Sequence, residues 1–396
     1  MTLGKKELSI VIAGCSQGSG HMSAAHNLLE SIAEIDQSVS TGVVNILDYI
    51  SSFDRFLMEE VWEYSSLHLD KLYSGIHGIL IRSKSLSSYL RAHFTSTADM
   101  LAPLLAESRT DVFVATHPLA VIIGSIIKQK HHMLCCAVPT DFVMHNLHLH
   151  PAIDYYYLPS ECQIIVPDHL SNELRKKMVV TGIPISPQFC RKTDKADLLK
   201  KYKLKNHTLT ILISFGGKGL GAEMHLSTLS ALFSLRFPLQ FIVVAGENET
   251  FRRDVEKLAA AAPDKIIKIF GLVNNMVDLM AVSDVFIGKA GGLSLSEALA
   301  MELPVAIIDH LAGQEEYNTE FIVRNRLGIL ARNNDDLLIN WLLTLATPEM
   351  LAEWKNRVKN HSFPFGAFSI SSHILGISKN FVKPKKVLIK GLCKTY

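Results

Sequence analysis

Val285-Phe286-Ile287-Gly288-Lys289-Ala290-Gly291-Gly292-Leu293-Ser294-Leu295-Ser296-Glu297 joins a short apolar run to a glycine-rich turn and then to a helical pattern. An apolar run without alternation is the pattern of a strand buried on both faces, as in a parallel sheet. Glycines ahead of the helix let the backbone turn tightly and approach a ligand closely. The helix start then offers N–H groups to an anion. Glu297, about one turn into that helix, can accept two hydrogen bonds from vicinal hydroxyls such as those of a ribose. A glutamate in a first turn also simply complements the helix dipole.

The same unit recurs on either side. Upstream, Leu209 to Ser214 runs into Phe215-Gly216-Gly217-Lys218-Gly219, and Gln240 to Ala245 runs into Gly246-Glu247-Asn248. Downstream, Val305 to Ile308 runs into Asp309-His310-Leu311-Ala312-Gly313-Gln314-Glu315-Glu316-Tyr317-Asn318. The amides and carboxylates of that run are groups that hydrogen-bond sugar hydroxyls, and they would equally suit a solvated helix start. Nearer the N-terminus the pattern repeats. Leu8 to Ala13 precedes Gly14-Cys15-Ser16-Gln17-Gly18-Ser19-Gly20-His21 and a helix carrying Ala24, Ala25, Leu28, Leu29 and Ile32 on one face. Val112 to Ala115 ends at Thr116-His117-Pro118, Leu134 to Val138 at Pro139-Thr140-Asp141, and Tyr155 to Leu158 at Pro159-Ser160-Glu161. A polar, lysine-rich stretch from Arg191 to His207 separates the two series.

The sequence therefore predicts an α/β protein of two Rossmann-like, doubly wound parallel-sheet domains facing a central cleft. The first spans residues 1–192 and the second 205–362; residues 363–396 form a helix crossing back to the first domain and a basic tail. Ligands of such sheets bind outside the carboxyl ends of the strands. His21, His117, Asp141, Lys218, Glu247, Lys289 and Gln314 all lie at such ends.

With 396 residues, 48% hydrophobic and 20% charged, the chain is a folded globular protein long enough for two cores. A net charge of +2 gives no bulk electrostatic reason to bind nucleic acid. The six cysteines, at 15, 135, 136, 162, 190 and 393, form no Cys-x-x-Cys pair. The N-terminus lacks the pattern of a signal peptide. The longest clean apolar run, Pro118 to Ile127, is far short of the roughly 20 residues of a spanning helix. These features predict a reducing, cytoplasmic location.

The first loop, Gly18-x-Gly20-x-x-Ser23, is not a dinucleotide fingerprint, since no acidic residue ends a second strand at the expected distance. It reads as a structural turn unless His21 carries function. His21 would sit in the first helical turn, facing the cleft, where the dipole favours the neutral imidazole that can accept a proton. Asp141 and His145 stand four residues apart after a strand; such a carboxylate acts as general base, orients a base histidine, or caps the next turn. His145, His148 and His150 together with Asp141 could ligate zinc, but no partner cluster exists elsewhere, and no metal is expected.

In this order the motifs resemble the glycosyltransferase family of plant-type monogalactosyldiacylglycerol synthases, bacterial processive diacylglycerol glucosyltransferases and the lipid II GlcNAc transferase. The residues that carry the resemblance are Gly18-Ser19-Gly20-His21 with Ala24-Ala25, Pro139-Thr140-Asp141 with His145, Thr181-Gly182-Ile183-Pro184, Ser214-Phe215-Gly216-Gly217, Gly271-Leu272-Val273, Lys289-Ala290-Gly291-Gly292 with Glu297, and Gly313-Gln314-Glu315-Glu316 with Asn318. The resemblance implies the GT-B fold and an inverting reaction with a UDP-sugar donor and no cofactor. It implies that the second half holds the nucleotide: Glu297 at the ribose, uracil near Gly271, Leu272 and Val273, and the diphosphate at Gly216, Gly217 and Gly291. Gln314 and Glu315 would meet the sugar. Lys218 and Lys289 would add positive charge, with Ala290 and Gly292 in the same loop. The loop Gly18, Ser19 and Gly20, with catalytic His21, Asp141 and His145, would form the acceptor side. His148 stands where the diacylglycerol branch usually has tryptophan.

Residues 53–94 are helix-rich, with Phe53, Phe56, Leu57, Val61, Trp62 and Ile79 followed by Arg82, Lys84 and Arg91, a pattern that suits an interfacial segment or a helical insertion packed on the first domain. Between Lys379 and Lys394 there are six lysines and no acid, so an anionic membrane surface is an expected partner. The reading is thus a hexosyltransferase moving a hexose or N-acetylhexosamine from a UDP-sugar to a membrane lipid, diacylglycerol or a glycolipid, peripherally on the cytoplasmic side of the cell membrane. A UDP-GlcNAc 2-epimerase and a non-catalytic lipid-surface-binding relative are the alternatives. Intact Glu297, Gln314 and His21 speak against the latter.

Overall fold

The computed structural model describes residues 7–16, 19–61, 64–65, 69, 75, 78–79, 82–159, 163–165 and 170–381. In the first half, β1 (Ser9–Gly14), β2 (Ser40–Asn45), β3 (Val112–Ala115), β4 (Leu134–Ala137), β6 (Tyr155–Leu158) and β8 (Met178–Val180) form a sheet ordered β2-β1-β3-β4-β6-β8. β5 (Val143–His145) and β7 (Gln163–Ile165) pair separately. In the second half, β9 (Leu209–Ser214), β10 (Leu239–Val244), β11 (Ile266–Phe270), β12 (Val285–Lys289), β13 (Val305–Asp309) and β14 (Gly328–Leu330) are ordered β11-β10-β9-β12-β13-β14. All pairings in both sheets are parallel. The architecture is GT-B.

Every residue of β1, β9 and β10 is buried, because helices cover both faces of the sheets. Seven helices shape the site: α1 (Gly20–Ile35), α2 (Ser52–Phe56), α3 (Lys84–His93), α4 (Pro118–Ile127), α5 (Gly292–Ala300), α6 (Gln314–Arg324) and α7 (Gly366–Phe381). α1 buries Ala24, Ala25, Leu28 and Ile32, spaced to share one face. Against that face and β1 pack Ala367, Ile370, Ile374 and Leu375 of α7, so the last described helix completes the first domain. Burying a side chain such as Ile370 stabilises by about 1.5–3 kcal/mol relative to exposure.

The domains also meet directly. Phe142 stacks on Phe321, centroids 4.0 Å apart and planes 7° from parallel. Fully buried Asn318 of α6 accepts from the Phe142 backbone N–H at 2.8 Å and donates to Asp141 Oδ1 at 2.7 Å and to the Ala290 carbonyl at 2.9 Å.

The apolar runs of the sequence correspond to the central strands. The edge strands β2, β8, β11 and β14, and the small sheet β5–β7, carry no such run. β2 and β11 are only half buried, so they need not be continuously apolar. Between α2 and α3 the described surface is apolar yet open: Phe53, Phe56, Leu57, Val61, Tyr64, Ile79 and Tyr89 are all exposed. Trp62 and most lysines of the tail lie outside the described residues. Among the described residues no helix is long and apolar enough to cross a membrane.

Candidate active site

In a parallel sheet, the strand order reverses direction at one crevice, and ligands gather there. In the first sheet that crevice lies between β1 and β3, in the second between β9 and β12. The loops leaving these four strands carry His21, His117, Gly216-Gly217-Lys218 and Gly291-Gly292. They face one another across a cleft of about 1020 Å³. The opposed loops come close: a Cβ on Gly217 would lie 3.2 Å from Ser19 Oγ.

On the first-domain wall, His21 is the second residue of α1. Its Nδ1 lies 2.8 Å from the Thr116 carbonyl and 2.9 Å from Thr140 Oγ1. A carbonyl can only accept, so Nδ1 carries the proton and Nε2 carries the lone pair. Burial lowers the pKa of His21 below the usual histidine value, against the opposing pull of Asp141 and of the Thr116 carbonyl. The ring is therefore a neutral base at neutral pH. Asp141, held by Asn318, stands beside it. His145 lines the cleft but is almost wholly buried, tilted against His148 at 4.2 Å. Burial pushes the His148 pKa down to about 3. Among the described residues no group of three or more His, Cys, Asp or Glu side chains could hold a metal ion.

On the second-domain wall α5 follows its N-cap Gly291, as α1 follows Ser19 on the first, and neither helix start has a side-chain cap or an acid in its first turn. Both therefore present backbone N–H groups and the positive end of the dipole. Gly292 must be glycine: a Cβ there would lie 2.0 Å from the Thr140 carbonyl oxygen and 3.0 Å from Asp141 Oδ1. That contact brings the α5 start against the base-bearing wall. Gly313, at φ +96°, bends the chain from β13 into α6, a conformation only glycine adopts readily. The bend delivers Gln314 and Glu315 to the cleft. Glu315 Oε2 accepts from the Leu311 N–H at 2.6 Å, and burial raises its pKa to about 7. Glu297 lies in the wall, partly open to the cleft, and burial raises its pKa to about 8.

Ser19, Gly20, Gly216, Gly217, Lys218, Leu272, Val273, Lys289, Gly291, Gly292, Glu297, Gln314 and Glu315 all line the cleft. Ala290 does not: it is fully buried, and its carbonyl anchors Asn318. Gly271 also stays out of the lining, leaving Leu272 and Val273 to form that rim. Gly18 lies outside the described residues. Two residues escape assignment from sequence. Asn318 fixes Asp141, and only its place in the Gln314 motif marked it. His117 shares the cleft with His21, and its signal was its position directly after β3.

Two Rossmann-like sheets facing such a cleft define the GT-B architecture. The profile of the family described as monogalactosyldiacylglycerol (MGDG) synthase matches residues 21–185, and that of the glycosyltransferase family 28 C-terminal domain matches residues 215–364. Among curated relatives, the processive diacylglycerol beta-glucosyltransferase of Bacillus subtilis is 25% identical over 358 residues, covering 89% of this chain and 90% of that protein. The enzyme of the same description from Bacillus pumilus is 27% identical over 360 residues, with the same shares covered. Among solved structures, Acinetobacter baumannii MurG aligns with a TM-score of 0.59 at 15% identity, covering 93% of this chain and 99% of that one. S. aureus MnaA, solved with UDP, aligns with a TM-score of 0.61 at 12% identity, covering 95% and 97%. The structural likenesses concern the fold. Its first half thus matches the monogalactosyldiacylglycerol synthase family and its second half the family 28 glycosyltransferase C-terminal domain, and the chain is a glycosyltransferase.

Proposed function

We propose that this enzyme moves a hexose or N-acetylhexosamine from a UDP-sugar to the hydroxyl of a membrane lipid, diacylglycerol or a glycolipid, with inversion at the anomeric carbon. One observation carries the reading: a neutral imidazole lining the cleft, its lone pair on Nε2, stands opposite the glycine-rich start of α5, which suits a diphosphate. The described names of the curated relatives support the lipid acceptor. In the reaction, the acceptor hydroxyl attacks the anomeric carbon from the face away from the diphosphate. Its proton passes to His21 Nε2, and Asp141 favours the imidazolium that forms. The bond from the anomeric carbon to UDP breaks. The α5 start, Lys218 and Lys289 take up the charge of the leaving diphosphate. Glu297 holds the ribose, Leu272 and Val273 flank the uracil, and Gln314 and Glu315 position the sugar. These cationic and dipolar groups supply the charge stabilisation without a cofactor, so EDTA should leave turnover within about twofold.

The exposed apolar surface of α2 and its neighbours adjoins the cleft mouth, where Phe53, Leu57, Leu86, Tyr89 and Leu90 continue the lining. That continuity supports peripheral docking on a membrane, on its cytoplasmic side, with the lysine-rich tail drawn to anionic lipid. The test is release of UDP from UDP-glucose, UDP-galactose and UDP-GlcNAc with and without diacylglycerol vesicles, with the lipid product analysed. Lipid-dependent release is expected. Conversion of UDP-GlcNAc without lipid would instead mark an epimerase.

A further inference from the structure

His117 stands beside the reaction centre and takes no part in the proton transfer just described. It lies two residues past β3 and caps α4, across the first sheet's crevice from His21. The two rings meet edge to face, 4.6 Å between centroids. The Leu119 backbone N–H donates to His117 Nδ1 at 3.1 Å, so Nδ1 carries a lone pair and the neutral ring holds its proton on Nε2. Burial, with His21 and His148 nearby, keeps the ring neutral well below the usual histidine range. Nε2 makes no hydrogen bond to a described residue. The residue lines the cleft at 8% exposure. The two histidines are thus complementary. His21 spends its proton on the protein and offers a lone pair; His117 spends its lone pair on the protein and offers a proton.

We infer that His117 is the acceptor-orienting donor: its Nε2–H binds an oxygen of the acceptor close to the reacting hydroxyl. A hydroxyl held only by its base rotates about the C–O bond. A second contact on a neighbouring oxygen fixes the attack direction. A fixed donor recognises only an accepting oxygen, and it discriminates against an analogue that leaves it unmatched. The acceptor class is therefore an alcohol with an accepting oxygen nearby, best met by a strong acceptor such as the ester carbonyl next to the free hydroxyl of a diacylglycerol. This rests on the lipid-acceptor reading above.

Two substitutions separate the roles of the ring. His117→Asn keeps the cap, since the amide oxygen takes the place of Nδ1, but it is too short to reach the acceptor. His117→Gln places an N–H near the Nε2 position and gives up the cap. The full chain is assayed with UDP-glucose and two acceptors in the same vesicles: dioleoylglycerol and its diether analogue, which lacks ester carbonyls. Acceptor kcat/KM, UDP affinity and thermal midpoint are measured. Wild type should prefer the diester by about fivefold, the worth of one neutral hydrogen bond. His117→Asn should lose about fivefold more on the diester than on the diether, with UDP affinity unchanged. His117→Gln should regain most of the preference at a lower thermal midpoint. Survival of the preference in His117→Asn, or equal loss on both acceptors, overturns the inference. Should wild type glycosylate neither lipid, the acceptor reading falls and takes this inference with it.

Discussion

The Glu297 carboxyl lies in the second-domain wall of the cleft with its pKa raised to about 8 by burial. Ribose hydroxyls donate, and the ionised carboxylate is the form that accepts from two of them. At pH 7 about nine in ten empty sites hold the carboxyl protonated. Binding UDP at that pH must expel the proton, at a cost of about 1.4 kcal/mol. At pH 9 the carboxyl is already ionised and that cost vanishes. The sign is therefore a gain with alkalinity: the Kd of UDP should fall about tenfold from pH 7 to pH 9, with close to one proton released per UDP bound at pH 7. Phosphate ionisation near pH 6 lies below this window. Glu315, raised to about 7, titrates in its lower part, so Glu297→Gln is needed to isolate the larger effect. Calorimetry at both pH values, in buffers of differing ionisation enthalpy, reads affinity and proton release together. Glu297→Ala should weaken UDP by about 1.5–3 kcal/mol, the worth of charge-assisted hydrogen bonds. A flat Kd without proton release, or an unchanged slope in Glu297→Gln, would refute the reasoning.

His21→Ala should cut turnover about 10²–10⁴-fold and leave UDP affinity nearly intact; near-normal turnover would withdraw it as base. Since burial lowers the His21 pKa, the rate should hold as pH falls to the usual histidine value and decline only below it, as a pH–rate profile would record. Gly292→Ala should lower stability by about 1–3 kcal/mol through overpacking against the Thr140 carbonyl, read as a fall in thermal midpoint. Truncation after Ser378 should weaken co-sedimentation with anionic vesicles at low salt and leave UDP affinity unchanged, since salt screens lysine attraction over about 8–10 Å; equal sedimentation of both chains would mean that the tail is merely solvated.

The fold was legible because a strand covered on both faces must be apolar throughout. Leu209–Ser214 could not have been a solvent-facing strand, and its glycine-rich exit is a strand-to-helix turn at the end of the sheet where ligands bind. Edge strands escaped notice for the converse reason: Ser40–Asn45 has one bonded neighbour and is half exposed, so its composition is unconstrained. Glycine loops were equally legible as loops, but sequence does not distinguish a residue lining the cleft from one holding the lining up. Ala290 reads like its neighbours Lys289 and Gly291, yet it points into the core. His117 reads like a helix cap, which it is; that it also lines the cleft follows only from three dimensions. The tautomers of both histidines likewise depend on contacts 95 residues apart for His21 and on a local cap for His117.

The Asn318 clamp, the Phe142–Phe321 stack and the Gly292 contact all lie at the floor of the cleft, beside Asp141. A rotation of one domain against the other that preserves these contacts has its fulcrum there. Rotation about a fulcrum leaves nearby atoms almost still and sweeps distant ones in proportion to their lever arm. The reacting groups are thus gauged against each other before substrate arrives, while the rim at Phe53, Tyr89 and Leu272 travels. A bulky lipid can enter and a glycosylated one depart by moving the jaws, without recalibrating the floor. Diversification of this scaffold toward new acceptors then has a cheap route, through rim substitutions, and an expensive one, through the fulcrum.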